Sequence, residues 1–158
     1  IAGIEFAAFI NRPEMAKWKA AVDPIVSSRF SAIQAIPATE YIARMDQIAQ
    51  MTAEALPVFD QVDAIVGPTI PITPPRIADL QSVEAYQAAN LQSLRNTSVG
   101  NILEMSGVTV PAGLDQAGMP VGLQLLTPNG ADERALAMAV AVERVLGTPR
   151  QRLGTPLL

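Results

Sequence analysis

Apolar positions along this chain change from helical spacing to strand-like runs and back. Through residues 1–30 they are dense and fall at helical intervals, interrupted at Pro13 and Pro24, which predicts several helical pieces rather than one long helix. From Thr39 to Phe59, the residues Tyr41, Met45, Ile48, Ala55 and Phe59 recur at near-helical spacing. That pattern predicts a helix with one buried stripe. Thr39 follows Pro37 and is placed to cap it. Pro57 ends or kinks it, because proline lacks the N–H and clashes with the preceding turn. The run from Val62 to Thr69, VDAIVGPT, is short, β-branched and closed by Gly67-Pro68, which predicts a buried strand.

Pro68, Pro71, Pro74 and Pro75 then enforce extended backbone. A proline segment at the carboxyl end of a strand is either the wall of a ligand pocket or a stiff surface connection. Val83 to Ser98, with Tyr86, Leu91 and Leu94, predicts a second helix, and Val108–Pro111 and Val121–Leu126 predict strands. Asp115-Gln116-Ala117-Gly118 between them reads as a turn, with Gly118 suited to positive φ, so the two strands are candidates for an antiparallel hairpin. Asp132 to Leu146 is the best-marked helix. Asn129 or Gly130 can cap it, Asp132 and Glu133 favour its positive end, Arg144 its negative end, and Gly147 with Pro149 terminates it. Helices alternating with strands predict an α/β layer fold.

The chain has 158 residues, 49% hydrophobic and 16% charged, enough for one domain with a core. There is no Cys and no His. That removes disulfides, thiol catalysis, the commonest metal ligand and any His-dependent triad. Net charge is −4, and the only lysines are Lys17 and Lys19. A nucleic-acid footprint needs clustered cations, and none is present. No apolar run is long enough to span a bilayer, and the N-terminus lacks a signal-peptide layout. Absence of Cys fits a cytoplasmic protein. The chain opens on Ile1 rather than Met, which suggests a processed or excised piece.

The catalytic inventory is thin. Asp60 and Asp63 read as turn and cap carboxylates before acid/base groups. Ser27 and Ser28 lack a glycine-rich loop to supply oxyanion donors and read as solvated or capping hydroxyls. Trp18, between two lysines, reads as a partly buried anchor, with cation–π or ligand contact as the alternative. No phosphate loop, dinucleotide fingerprint or metal-ligand cluster appears, so no cofactor is called for.

Several stretches, in one order, resemble the amidase signature family. Asp63–Pro71, DAIVGPTIP, is similar to its strand ending in Pro-Thr-x-Pro. Arg95-Asn96-Thr97 followed by Asn101 resembles its Asn-Thr…Asn stretch. Val108–Gly113, VTVPAG, resembles its Val-Pro-x-Gly strand end. Gly118–Gln124, GMPVGLQ, resembles its Gly-Leu-Pro-x-Gly-x-Gln hairpin, with Met119 replacing Leu. Asp132, Glu133 and Glu143 match acidic positions of its final helix, and Glu5 resembles a glutamate at the start of its preceding helical region. The signal is specific over Val62–Leu146 and looser over Ile1–Phe59.

The resemblance implies a mixed β-sheet covered by helices. It places this chain in the C-terminal part of that fold as a single partial domain, with a helical region at 1–60 and strands and helices at 61–158. It implies hydrolysis of a carboxamide, or transfer of its ammonia. A serine attacks the carbonyl, a second serine in a cis peptide relays a proton, an unprotonated lysine is the base, and a glycine-rich loop holds the oxyanion. The lysine strand and the Gly-Gly-Ser-Ser-Gly-type segment belong upstream of Ile1 in that family. Neither Lys17 nor Lys19 has a comparable context, so no catalytic residue is assigned here. What carries over is the helix before Asn101, whose Leu91, Leu94 and Ser98 would line the acyl side of a small amide substrate. For the two leucines the competing reading is core packing.

The implied partner is the missing N-terminal catalytic portion or a companion chain, and an exposed sheet edge would favour homo-oligomers. The amidase-like subunit of a tRNA-dependent amidotransferase is a narrower form of the same reading. The alternative is a non-catalytic α/β binding or structural module.

Overall fold

The computed structural model describes residues 2–31 and 36–154, without the side chains of residues 2 and 28–31. The chain forms two compact units, one from Ile1–Gln50 with Arg76–Ala89 and one from Met51–Pro75 with Asn90–Leu158.

The first unit is helical. Its elements are α1 (Ala2–Ile10), α2 (Ala16–Ala21), α3 (Pro24–Ser31) and most of α4 (Ala38–Ala55). Pro13 opens a single 3-10 turn before α2, and Pro24 opens α3, the first-turn positions where a missing N–H costs nothing. Asp23 caps α3 by accepting the amides of Ile25 and Val26 on Oδ1. α1 packs against α2 and α3 and buries Ala7 and Ile10.

Three expectations for this region are corrected. Thr39 does not cap α4. The helix opens at Ala38, and the Pro37 carbonyl accepts the amides of Glu40 and Tyr41, so Pro37 already occupies the half-in position. The stripe of Tyr41, Met45, Ile48, Ala55 and Phe59 is not buried, and Trp18 is 64% exposed. Periodicity marks which face is apolar, and burial then depends on a covering surface. Pro57 does end regular helix, since α4 passes at Leu56 into a 3-10 turn.

The second unit carries β1 (Ile65–Pro68), the C-terminal part of α5 (Val83–Ile102), β2 (Ser106–Leu114), β3 (Pro120–Thr127), α6 (Asp132–Leu146) and α7 (Pro149–Leu153). The α/β class expected from the sequence is the one that folds. The sheet order is β1-β3-β2, and both pairings are antiparallel. β2 and β3 are the expected hairpin, in register from Ser106↔Thr127 to Pro111↔Gly122. A bulge at Ala112 follows, and pairing resumes at Gly113↔Val121. The extra residue bends β2 just before the turn. α6 packs on β2 and β3, and the core lies there, with Leu125, Thr127, Val110, Leu126 and Ala135 buried.

β1 is not the buried strand expected. Val66 is 53% exposed and Ile65 36%, and among the described residues β1 pairs with β3 alone. The α6 cap is also corrected. Asn129 and Gly130 form the turn out of β3, and Ala131 occupies the cap position without a side-chain bond. At the other end Gly147 closes α6 at φ +85 and donates its amide to the Glu143 carbonyl, the role expected of it.

Candidate functional site

A cleft of about 380 Å³ opens where β1 runs into the proline segment. Residues Thr69 to Pro74 form one wall. Thr109 on β2, the turn residue Asp115, and Pro120, Val121 and Gly122 at the start of β3 form the other. Pro71 and Pro74 of the proline segment line this cleft, and Pro74 and Pro75 also lie exposed at the surface.

The walls are held together by short polar links. The Thr69 amide donates to the Gly122 carbonyl at 2.8 Å, carrying the chain alongside β3 past the end of β1. The Thr69 and Thr109 hydroxyls share a hydrogen bond of 3.1 Å. The Thr73 hydroxyl donates to Asp115 Oδ2 at 2.7 Å. Asp115 Oδ1 accepts the amides of Ala117 and Met119, each at 2.9 Å, and so also builds the turn, whose Gly118 has φ +76. The Thr73 hydroxyl and then the Met119 amide hold the Asp115 carboxyl below its usual range. Desolvation opposes them, and the Ala117 amide adds to them.

Gly122 is the residue that lets the walls meet. A Cβ there would lie 2.6 Å from both Thr109 Cγ2 and Thr69 Oγ1. With no side chain, it permits this close backbone approach.

A second, smaller cleft of about 160 Å³ lies beside β1, lined by Ile65, Pro68, Asn96, Val99 and Leu126 among others. Here the Asn96 side-chain amide donates to the Pro68 carbonyl at 2.7 Å, tying α5 to the end of β1. Within the Asn-Thr stretch this is a positioning contact. Thr97 and Ser98 hydroxyls both donate to the Leu94 carbonyl.

The other sequence candidates fall as follows. Leu91, Leu94 and Ser98 line neither cleft. They are spaced for one face of α5, where Leu91 is 70% and Leu94 43% exposed. Asn101 is an exposed residue near the end of α5. Asp60 and Asp63 are both exposed. Ser27 donates to the Pro24 carbonyl within its own helix, and the Ser28 side chain lies outside the described residues. Lys19 donates to Asn11 Oδ1 at 2.6 Å. Glu5 accepts the Tyr41 hydroxyl at 2.9 Å, and that bond pushes the phenol up. Among the described residues no three Asp or Glu side chains converge to hold a metal ion, and no helix is long and apolar enough to cross a membrane.

Two features had no forecast. Thr148 and Gln151 form a reciprocal capping box that opens α7. The spacing Thr-x-x-Gln was the available signal, obscured because Pro149 also reads as a stop. α7 in turn delivers Arg152, whose guanidinium donates to the Pro111 carbonyl at 2.8 Å and to the Ala112 carbonyl, at the bulge beside the cleft.

The family model for Amidase matches residues 11–136. The chain belongs to the amidase family. It is similar to 2-amino-5-chloromuconic acid deaminase of Comamonas testosteroni, with 36% identity over 99% of this chain and 34% of that protein. It is similar to a fatty acid amide hydrolase of Medicago truncatula, with 31% identity over 75% of this chain and 20% of that protein. Among solved structures it resembles 6-aminohexanoate cyclic dimer hydrolase complexed with substrate. The TM-score is 0.72 at 20% identity, over 85% of this chain and 30% of that one, a likeness of fold. The chain thus spans about a third or less of the length of these proteins. Most of the family's motifs quoted above, from DAIVGPTIP to GMPVGLQ with the first acidic residues of α6, fall inside the matched span.

Proposed function

We propose that this chain is the C-terminal part of an amidase that hydrolyses a carboxamide C–N bond, with its catalytic serines and lysine outside these residues. The observation that carries the reading is the family match over residues 11–136 in a chain spanning 34% of a relative aligned along almost its whole length. The residues present agree with it. Without His or Cys the chain offers no imidazole or thiol, and a Ser/cis-Ser/Lys acyl-transfer mechanism needs neither. Backbone donors of a glycine-rich loop would stabilise the oxyanion, and that loop also lies outside the chain.

In this reading the partner is the catalytic portion, as one polypeptide or as a companion chain, and the site of action is the cytoplasm. The open edge of β1, with Ile65 and Val66 exposed, is the type of surface such a partner or a second copy covers. The exposed face of α5 bearing Leu91, Leu94 and Ser98 would line the acyl side of a small amide substrate.

The test is intact mass under native and denaturing conditions, followed by ammonia release from a panel of carboxamides. The reading expects turnover from the assembly that contains the catalytic portion and none from the 158-residue chain alone. Turnover by the isolated chain would overturn it.

A further inference from the structure

Among its side chains, the cleft bounded by Thr69, Thr109 and Asp115 offers more hydrogen-bond acceptors than donors. Its only side-chain donors are the hydroxyls of Thr69, Thr73 and Thr109. The Thr73 proton is committed to Asp115 Oδ2. One proton of the Thr69–Thr109 pair is committed between those two oxygens, which leaves a single free hydroxyl proton. Pro71, Pro74 and Pro120 in the walls have no backbone N–H to offer. Acceptors remain in surplus. A carboxylate has about four lone-pair sites, and Asp115 receives two amides on Oδ1 and one hydroxyl on Oδ2.

No cation answers this carboxylate. Among the described residues the one ion pair is Arg44 with Glu40. Arg152, which reaches the adjacent bulge, spends its guanidinium on two backbone carbonyls. Away from Asp115 the walls are apolar, with Ile70, Ile72 and Val121 beside the prolines. A volume of about 380 Å³ lies at the lower end of the range for small-molecule sites.

A ligand matched to these walls brings its own donors, a positive charge and a short apolar body. We propose that the cleft binds a small organic ammonium, with the ammonium on Asp115 Oδ2, the Thr69–Thr109 pair as further acceptor, and the alkyl group against Ile70, Ile72 and Pro120. An anion meets the Asp115 charge with no cation to offset it. A neutral amide brings no charge to answer Asp115. An aspartate carboxyl is charged at neutral pH, as the site requires, and the hydrogen bonds to Asp115 favour that charged form. The inference stands apart from amide hydrolysis, since the cleft includes none of the proposed acyl-side residues and binding is read without turnover.

The experiment titrates the intact protein with n-butylammonium chloride and follows amide chemical shifts, with sodium butyrate and n-butanol as anionic and neutral probes of similar shape. Butylammonium is expected to produce saturable shifts at Thr69, Thr73 and Val121. Butyrate is expected to produce none there, and butanol only weak ones. Asp115→Asn, which keeps acceptors for the turn amides, should weaken butylammonium about tenfold or more, the scale of a lost charge-assisted bond. Thr109→Val should weaken it by a smaller factor. The proposal is overturned if those amides do not saturate before shifts spread over the whole surface. It is also overturned if butyrate or butanol binds as well as butylammonium, or if folded Asp115→Asn binds unchanged. If Asp115→Asn does not fold, the comparison of the three probes on the unaltered protein still decides it.

Discussion

Thr73 and Asp115, 42 positions apart, are joined by a 2.7 Å hydroxyl–carboxylate hydrogen bond, and the same carboxylate closes the hairpin turn through the amides of Ala117 and Met119. One side chain therefore sets a local turn and tethers a distant proline segment to it. The two roles separate by substitution. Thr73→Val removes only the tether. It should speed amide exchange in residues 70–74 while leaving Ala117 and Met119 protected. Asp115→Ala removes both, and exchange at Ala117 and Met119 should rise about tenfold, the factor expected for one typical net hydrogen bond. Hydrogen exchange resolved by residue checks both, and equal protection of the turn in wild type and Asp115→Ala would refute the shared role.

The same carboxylate makes an acid dependence with a definite sign. Its folded pKa lies below its unfolded value, chiefly through the Thr73 hydroxyl. Its contribution to stability is therefore complete above the ordinary aspartate range, near about 4. It is lost as pH falls through the folded value, which is lower still. The stability difference between wild type and Asp115→Asn should be flat at neutral pH and shrink only in strong acid. Denaturant melts at a series of pH values check this, and a difference that grows on acidification would contradict the assigned hydrogen bonds.

Gly122 and Gly67 make an internal comparison. A Cβ at Gly122 would stand 2.6 Å from Thr109 Cγ2 and Thr69 Oγ1, whereas one at Gly67 would meet nothing within 4 Å. Gly122→Ala should cost about 1–3 kcal/mol, the usual range for overpacking, and should disturb the Thr69–Thr109 pair. Gly67→Ala should be close to neutral. Equilibrium unfolding of the two variants checks the contrast.

Where the sequence was legible, local chemistry sufficed. Asp115 and Gly118 specify a turn from their own backbone preferences, and Val108, Val110, Leu123 and Leu125 alternate on the strands it joins, so the hairpin followed. α6 was legible because Asp132, Glu133, Arg144 and Gly147 each act on the helix end they occupy. What failed depended on surfaces far away in sequence. The apolar run of β1 shows which residues favour burial and says nothing about what lies beside them, and Val66 stands 53% exposed. Trp18 and the stripe of α4 fail for the same reason. The cleft was half legible, since the prolines marked the segment while Thr109 and Asp115 reach it only through the β2–β3 pairing. Arg152 was invisible, because the bulge carbonyls it serves lie about forty positions away.

That arginine joins α7 to the sheet. Ala112 is the unpaired residue of the bulge, and its carbonyl and that of Pro111 both accept from the half-buried Arg152. Arg152→Ala leaves two carbonyls short of a donor and should destabilise by about 1–3 kcal/mol. Arg152→Lys should recover little, because a single ammonium does not reproduce the planar fork that spans two acceptors. Thermal melts of both variants check this, and full rescue by lysine would reduce the contact to simple charge.

Leu91 and Leu94 separate the acyl-side reading from core packing. In this chain Leu91 is 70% exposed and Leu94 43%, and with Ser98 they share the i, i+3, i+7 positions of one helix face. If that face lines the substrate's acyl group, enlarging the space changes discrimination between acyl sizes more than stability. Removing a few methylene contacts in an apolar site is worth roughly 10–200-fold in discrimination. In the complete protein, if it is the amidase proposed above, Leu91→Ala and Leu94→Ala should therefore shift the ratio of kcat/KM between short and long acyl amides by about tenfold, with the melting temperature nearly unchanged. Core leucines behave in the opposite way, because truncation leaves a cavity costing about 2–5 kcal/mol and gives no reason for acyl preference to move. A fall in melting temperature with an unchanged acyl-size profile would return both residues to the core.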